Sequence, residues 1–182
     1  MRRWSFFAYG VFCYVLFLVT YTWMAGFVGN FLVRKSIDSA PAEGLQAVGI
    51  DVLLIGLFAL THSIMARPWF KRFWTRLVPQ AIERSTYVLI SCLLVYLLMW
   101  QWRGLDVVMW HVQHPLGRTL LWALFAAAWL MVPTVSLMIN HFDLFGTRQV
   151  WLHLRGQSSS ALPFRTPLLY NRIRHPLYVA WT

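Results

Sequence analysis

Residues 5–33 read SFFAYGVFCYVLFLVTYTWMAGFVGNFLV, a run with no charged side chain. A helix crosses about 30 Å of hydrocarbon with roughly 20 apolar residues. This run is therefore long enough to span a bilayer with tilt or with one end exposed. Arg2 and Arg3 precede it, as basic residues precede a secretory signal. The run is too long for a signal core, which has about 7–15 residues, and it lacks a small-residue cleavage site, so it reads as a retained helix.

The rest of the chain repeats the pattern. Its 182 residues are 59% hydrophobic and 17% aromatic with only 12% charged, a composition suited to a bilayer rather than to a water-soluble domain. Further apolar runs lie at about 48–66, 86–102 and 116–141. Asp51 and His62 stand near opposite ends of the second, and Ser85 is placed to cap the third. Pro133 inside the fourth removes a backbone donor and predicts a kink. Between the second and third runs, Trp69, Phe70, Phe73, Trp74 and Leu77 share one helical face, with Lys71, Arg72, Thr75 and Arg76 on the other. That pattern predicts an interfacial amphipathic helix opened by Pro68. The expected fold is an all-α integral membrane protein: four transmembrane helices, this interfacial helix and, from Pro176, the start of a fifth span. Residues 176–182 alone are too few to cross.

The charges orient it. Arg2 and Arg3, the cluster Arg67, Lys71, Arg72, Arg76 and Arg84, and the cluster Arg148, Arg155, Arg165, Arg172 and Arg174 occupy three segments on one side. The opposite loops mix Arg34, Lys35, Arg103 and Arg118 with Asp38, Glu43 and Asp106. Cationic loops stay cytoplasmic, which places the N-terminus and the segment 142–182 inside, with a bacterial inner membrane as the expected location. The net charge of +10 sits at helix ends, where topology and anionic headgroups account for it, so no nucleic-acid partner is expected.

Cys13 and Cys92 fall within predicted helices and form no CxxC pair, which points to packing rather than to zinc or redox chemistry. Of the histidines, only His62 lies clearly inside a span. A haem or metal site would need it to meet His141 at similar depth, and no tight ligand spacing such as HExxH supports one. No metal is expected. Asn140, His141, Asp143, Arg148 and Gln149 gather where the fourth run leaves the membrane. Polar groups at that depth are costly unless they pair or bind something. Two readings stand: a local Asp143–Arg148 pair with Asn140 and His141 capping the helix, or a binding site. After the polar stretch 155–163, Thr166-Pro167 opens a short helix that Pro176 ends, leaving His175 and Tyr178 at the membrane boundary beside Arg172 and Arg174. An interfacial His and Tyr are also what an aromatic belt supplies.

Leu169-Tyr170 followed by Arg174-His175-Pro176-Leu177-Tyr178 resembles the start of the methyl-donor site in the isoprenylcysteine carboxyl methyltransferase superfamily of membrane enzymes. Thr61-His62-Ser63-Ile64-Met65-Ala66-Arg67-Pro68, Glu83-Arg84-Ser85-Thr86-Tyr87, Asn140-His141-Phe142-Asp143-Leu144-Phe145-Gly146, Arg148-Gln149-Val150-Trp151 and Phe164-Arg165-Thr166-Pro167 resemble one branch of it. That branch is the bacterial methanethiol S-methyltransferases grouped with nurim, and the resemblance runs from about Ser5 to Thr182. It implies methyl transfer from S-adenosylmethionine to methanethiol, giving dimethyl sulfide. It also implies donor contacts from Tyr170, Arg174, His175, Pro176 and Tyr178, with His62, Asn140, Asp143 and Gln149 as acceptor-side candidates. His141, His175 and Arg174 are the candidates for easing thiol ionisation. The alternatives are a related membrane methyltransferase or a nurim-like protein with another acceptor, and, from the histidines, a haem- or metal-binding subunit. The superfamily completes its donor site with a further hydrophobic helix and an acidic cytosolic stretch. The chain is thus expected to be one methyltransferase-like domain over 1–182 that lacks its C-terminal part, and to bind the donor weakly on its own. No GxGxxG follows a strand pattern, so a soluble Rossmann methyltransferase is not expected.

Overall fold

A computed structural model describes residues 1–39, 44–105, 108 and 111–159. Its elements are α1 (Arg2–Gly29), α2 (Leu45–Ala66), α3 (Pro68–Trp74), a 3₁₀ turn (Gln80–Ile82), α4 (Glu83–Gln101), α5 (Pro115–Ile139), α6 (His141–Leu144) and α7 (Thr147–Leu154). Four stretches, Arg2–Gly29, Leu45–Ala66, Gln80–Gln101 and Pro115–Ile139, are long and apolar enough to cross a membrane. The chain is an all-α, multi-pass membrane protein. Among the described residues there is no extended strand.

The boundaries differ from the sequence expectation for local reasons. The first span ends at Gly29 rather than at residue 33, because Asn30 turns left-handed (φ 57°) and its N–H closes onto the Gly26 carbonyl. Asn tolerates that conformation better than most residues do. The third span begins at Glu83, not at residue 86, after a 3₁₀ turn whose last residue is the N-cap. Ser85 therefore does not cap it. Ser85 lies inside the helix and is fully buried, so packing against a neighbour fixes its place. The amphipathic helix forms as expected but is short, with Pro68 in its first turn. Trp69 and Phe73 stay more than half exposed, at 56% and 53%, as suits rings that face headgroups rather than a core.

The chain divides into two compact units. In the first, α4 packs against both α1 and α2, and α7 lies along α1. The interior mixes large apolar residues, Phe27, Leu54, Met65, Val88 and Met99, with small or weakly polar ones, Gly10, Cys13 and Thr20 on α1 and Ser85 and Cys92 on α4, while Phe12, Val15, Val19 and Trp23 of α1 and Val52, Leu53 and Leu60 of α2 point outward. Lipid tails solvate large aliphatic side chains as well as a protein core does, so close approach of backbones at small residues drives association instead. Both cysteines are buried and unpaired, as expected for packing residues.

α7 runs antiparallel to the first half of α1. Phe145 stacks on Phe17 at 3.9 Å, Trp151 meets Phe7 at 5.8 Å and His153 stacks on Phe6 at 5.3 Å. Between these ring pairs, Val150 fills the space above Gly10, where a Cβ would come within 2.5 Å of its Cγ2. Only glycine leaves room for that crossing.

The second unit contains α5 and α6. Helix α5 continues through Pro133 to Ile139. The hydroxyls of Thr134 and Ser136 donate to the Leu130 and Pro133 carbonyls at 2.7 and 2.8 Å, drawing local carbonyls into side-chain hydrogen bonds beside the missing proline donor. Leu116, Leu120, Leu124 and Leu130 are exposed along it, a lipid-facing surface.

Candidate functional site

Three of the sequence blocks quoted above meet at the beginning of α4, within the first unit. Successive residues of Glu83-Arg84-Ser85-Thr86-Tyr87 point to different neighbours because each advances about 100° around the helix. Ser85 faces Gly146, the N-cap of α7. A Cβ there would lie 2.6 Å from Ser85 Oγ and 2.7 Å from its backbone nitrogen, and the glycine also holds φ +84°. Space and backbone conformation both require Gly146. Thr86 Oγ1 is 3.1 Å from Tyr9 Oη on α1 and also donates to the Ile82 carbonyl at 2.9 Å, so the tyrosine hydroxyl is the donor between the two helices. Tyr87 turns the other way, towards α2 and His62.

His62 lies one turn before the end of α2, exposed on the outside of the unit, with Phe58 beneath it at 5.2 Å. Its ring is 5.0 Å from that of Tyr87. The tyrosine hydroxyl is 2.7 Å from Nε2 and 3.1 Å from Nδ1, and Ser91 Oγ is 3.2 Å from Nδ1. Proton positions follow from the last member. Ser91 donates its one hydroxyl proton to the Tyr87 carbonyl at 2.9 Å, so it accepts from His62, which carries its proton on Nδ1. The Tyr87 hydroxyl, close to both nitrogens, lies against the face of the ring. The potential metal ligand His62 is thus committed to side-chain hydrogen bonds.

The same level of the unit buries other polar groups: Glu83, Ser85 and Gln149 are all nine-tenths buried or more. Ser85 Oγ has no hydrogen-bond partner among the described residues. Gln149 is on the face of α7 turned into the unit beside Val150. Arg155 covers the Trp151 ring at 4.7 Å and Arg2 covers Phe6 at 5.7 Å, so cations flank the stacked aromatics where α7 meets the start of α1.

In the second unit, Asn140 ends α5 with its N–H on the Ser136 carbonyl at 3.1 Å, and His141 opens α6. His141 is buried and its Nδ1 lies 2.8 Å from Ser136 Oγ. Ser136 already donates to Pro133, so His141 donates from Nδ1 here too. Burial lowers its pKa from the usual histidine value. Asn140 is the C-cap of α5, and the His141 ring ties back to that helix through Ser136. Asp143 lies on α6.

Of the predicted site residues, the structure joins His62 to the beginning of α4 and buries Gln149 in the same unit. It places Asn140, His141 and Asp143 in the other unit. Tyr170, Arg174, His175, Pro176 and Tyr178, with the expected fifth span, lie outside the described residues. Among the described residues no group of three or more His, Cys, Asp or Glu side chains gathers as for a metal. Sequence reasoning missed Tyr87 and Ser91 as the partners of His62. The signal was there: polar residues at i and i+4 on an otherwise apolar helix share one face.

Compared with known proteins, the chain is 48% identical over 174 residues to a methanethiol S-methyltransferase of Crocosphaera subtropica, covering 95% of this chain and 68% of the relative. It is 47% identical over 182 residues to a methanethiol S-methyltransferase of Mycobacterium tuberculosis, covering 100% of this chain and 75% of that one. A more distant likeness, 28% over 144 residues, covers 74% of this chain and 54% of nurim from Rattus norvegicus. No family model and no solved structure matches it.

Proposed function

The chain belongs to the methanethiol S-methyltransferase family, and from that membership we propose that it methylates methanethiol with S-adenosylmethionine, releasing dimethyl sulfide and S-adenosylhomocysteine. The observation that carries the reading is the 47% identity to such an enzyme along the whole of this chain. The geometry agrees with it. The blocks containing His62, Glu83–Tyr87 and Gly146–Trp151 converge at one end of one group of helices, and scattered matches in a merely hydrophobic protein would have no reason to meet.

Methyl transfer from a sulfonium is an in-line displacement, so a site for it must align donor and sulfur and exclude water. The donor supplies the activated methyl group. In this proposal Tyr170, Arg174, His175, Pro176 and Tyr178 hold it at the cytoplasmic face of a bacterial inner membrane, and His62, Asn140, Asp143 and Gln149 belong to the acceptor side. Arg174, His175 and His141 are the groups whose charge or basicity would favour a thiolate, which attacks far better than a thiol. A small apolar acceptor dissolves in the bilayer and needs no aqueous channel.

The test is to supply membranes carrying the complete protein with methyl-labelled S-adenosylmethionine and, in parallel, methanethiol, hydrogen sulfide and an isoprenylcysteine. Label is expected in dimethyl sulfide. Label in another product with none in dimethyl sulfide overturns the choice of acceptor.

A further inference from the structure

The antiparallel pairing of α7 with α1 brings Arg155, at the end of one helix, to Arg2 and Arg3, at the start of the other. Each guanidinium is held by a different contact. Arg2 lies over Phe6 at 5.7 Å, and that ring stacks on His153 at 5.3 Å. Arg155 lies over Trp151 at 4.7 Å. Arg3 rests on the turn that follows α7, where a Cβ on Gly156 would stand 3.0 Å from its Nη1. Three like charges are thus gathered from two distant parts of the chain, and among the described residues none of them pairs with a carboxylate. Glu83, the described acid at this end of the unit, is buried at the start of α4. A contact between a cation and a ring needs no lone pair, so it leaves guanidinium N–H donors for an oxygen anion.

The depth of the cluster follows from α4. Its 19 residues measure about 28 Å at 1.5 Å per residue, close to the thickness of the hydrocarbon layer. Thr86, one turn inside its start, bonds to Tyr9, and Arg2 and Arg3 lie about 10 Å beyond Tyr9 along α1. They therefore stand about 5 Å outside the hydrocarbon, in the headgroup layer. Trp4 and Trp151, 66% and 43% exposed, are at the same end, as suits rings that flank headgroups.

We propose that Arg2, Arg3 and Arg155 form a binding site for the phosphate of an anionic phospholipid, with Trp4 and Trp151 against its glycerol and upper acyl chains. Guanidinium groups meet phosphate oxygens with paired, charge-assisted hydrogen bonds, and three of them exceed the single charge of a phosphodiester. A zwitterionic lipid brings its own ammonium into that surplus, whereas phosphatidylglycerol brings none. A free phosphate offers the same oxygens but nothing to cover the two exposed indoles. The bound headgroup joins α1 to α7, a helix of eight residues that is too short to be stable without tertiary support. It thereby adds a polar fastening to the ring stacking and the Val150–Gly10 contact that hold α7 in place.

The test is to titrate the complete protein, purified in neutral detergent, with phosphatidylglycerol, phosphatidylcholine and, as a soluble probe, glycerol phosphate, and to count bound molecules by native mass spectrometry. One phosphatidylglycerol is expected to bind about ten-fold more tightly than phosphatidylcholine and to raise the unfolding midpoint. Arg155→Gln removes one guanidinium and leaves the charges that precede the first span. Arg2→Lys, Arg3→Lys and Arg155→Lys together keep the net charge that sets orientation but lose the planar fork. Each of these two proteins should bind phosphatidylglycerol about ten-fold more weakly. Arg76→Gln, an equal loss of charge at an exposed position after α3, should change binding by less than about two-fold. Equal weakening by Arg155→Gln and Arg76→Gln, or none in the lysine protein, would show diffuse attraction to a charged surface and overturn the site. Equal binding of the two lipids would overturn it as well. Glycerol phosphate that binds as tightly as the lipid would mark a soluble-anion site and overturn the assignment to lipid.

Discussion

The two ends of the first unit treat polar side chains in opposite ways. At the end that holds Asp51, three side chains fasten backbone and one pair joins side chain to side chain. Asp51 Oδ1 accepts the Arg103 N–H at 3.0 Å, Trp102 Nε1 donates to the Ile37 carbonyl at 2.9 Å, Lys35 donates to the Trp100 carbonyl and Asn30 to Asp38. The Trp102 and Lys35 bonds hold the connection after α1 onto the end of α4, the Asp51 bond ties α2 to the same end, and Gly104 lets the segments touch, since a Cβ there would stand 2.7 Å from the Ser39 carbonyl oxygen. At the end that holds His62, side chains bond to side chains: Tyr9 to Thr86, and Tyr87 to His62 to Ser91. A side chain on a carbonyl is a clasp with one useful protonation state. The His62 end is where three of the sequence blocks meet, while the Asp51 end holds the more deeply buried charge.

The comparison is most severely tested where the His62 end depends on shape alone. Gly146→Val would add a side chain against the Ser85 backbone and force a left-handed conformation on a β-branched residue, costing on the order of 3 kcal/mol. The measurement is thermal unfolding in lipid nanodiscs, where the midpoint should fall and methyl transfer should be lost with it. Asp51→Ala should come next. The Arg103 N–H would lose an anionic acceptor, for about 2 kcal/mol, and dimethyl sulfide formation per folded molecule should stay near the parent rate. If activity falls while stability holds, the assignment of the Asp51 end as a clasp is wrong. Trp102→Phe removes the single bond to Ile37 and should cost about 1 kcal/mol, again without a kinetic effect.

The smallest effect is expected outside both ends, at His141. Its lowered pKa means that the folded protein holds the neutral ring more firmly than the unfolded chain does. Its contribution is therefore complete above the ordinary histidine pKa, about 6.5, and is lost as pH falls below that through the lowered folded value. Unfolding midpoints should decline slightly on acidification below about pH 6, and His141→Gln should flatten that part of the profile.

The spans were legible because a bilayer imposes length and composition on each helix separately, and residues 5–33 show this without reference to anything else. Their ends were less legible. The left-handed turn at Asn30 and the 3₁₀ entry to α4 depend on a few local dihedrals that an apolar run does not specify. Ser85 shows the limit most clearly. Its type and position suit a cap, yet it is packed inside a helix because Gly146, distant in sequence, leaves room for it. At the site, His62 stood out as a lone imidazole in an apolar span. That it lies against a phenol and a serine did not, because that contact exists only once α2 and α4 are side by side.

The sequence by itself determined that this is a membrane protein, how many of its described segments can cross, and, through blocks of residues, which family it belongs to. Each of these is written in runs or motifs that need no partner. Tertiary structure alone decided that α7 lies back along α1 in the space left by Gly10, that one end of the unit clasps backbone, and that Tyr87 and Ser91 complete His62. Those outcomes depend on which small residues let which helices approach, a pairwise property that no single segment carries.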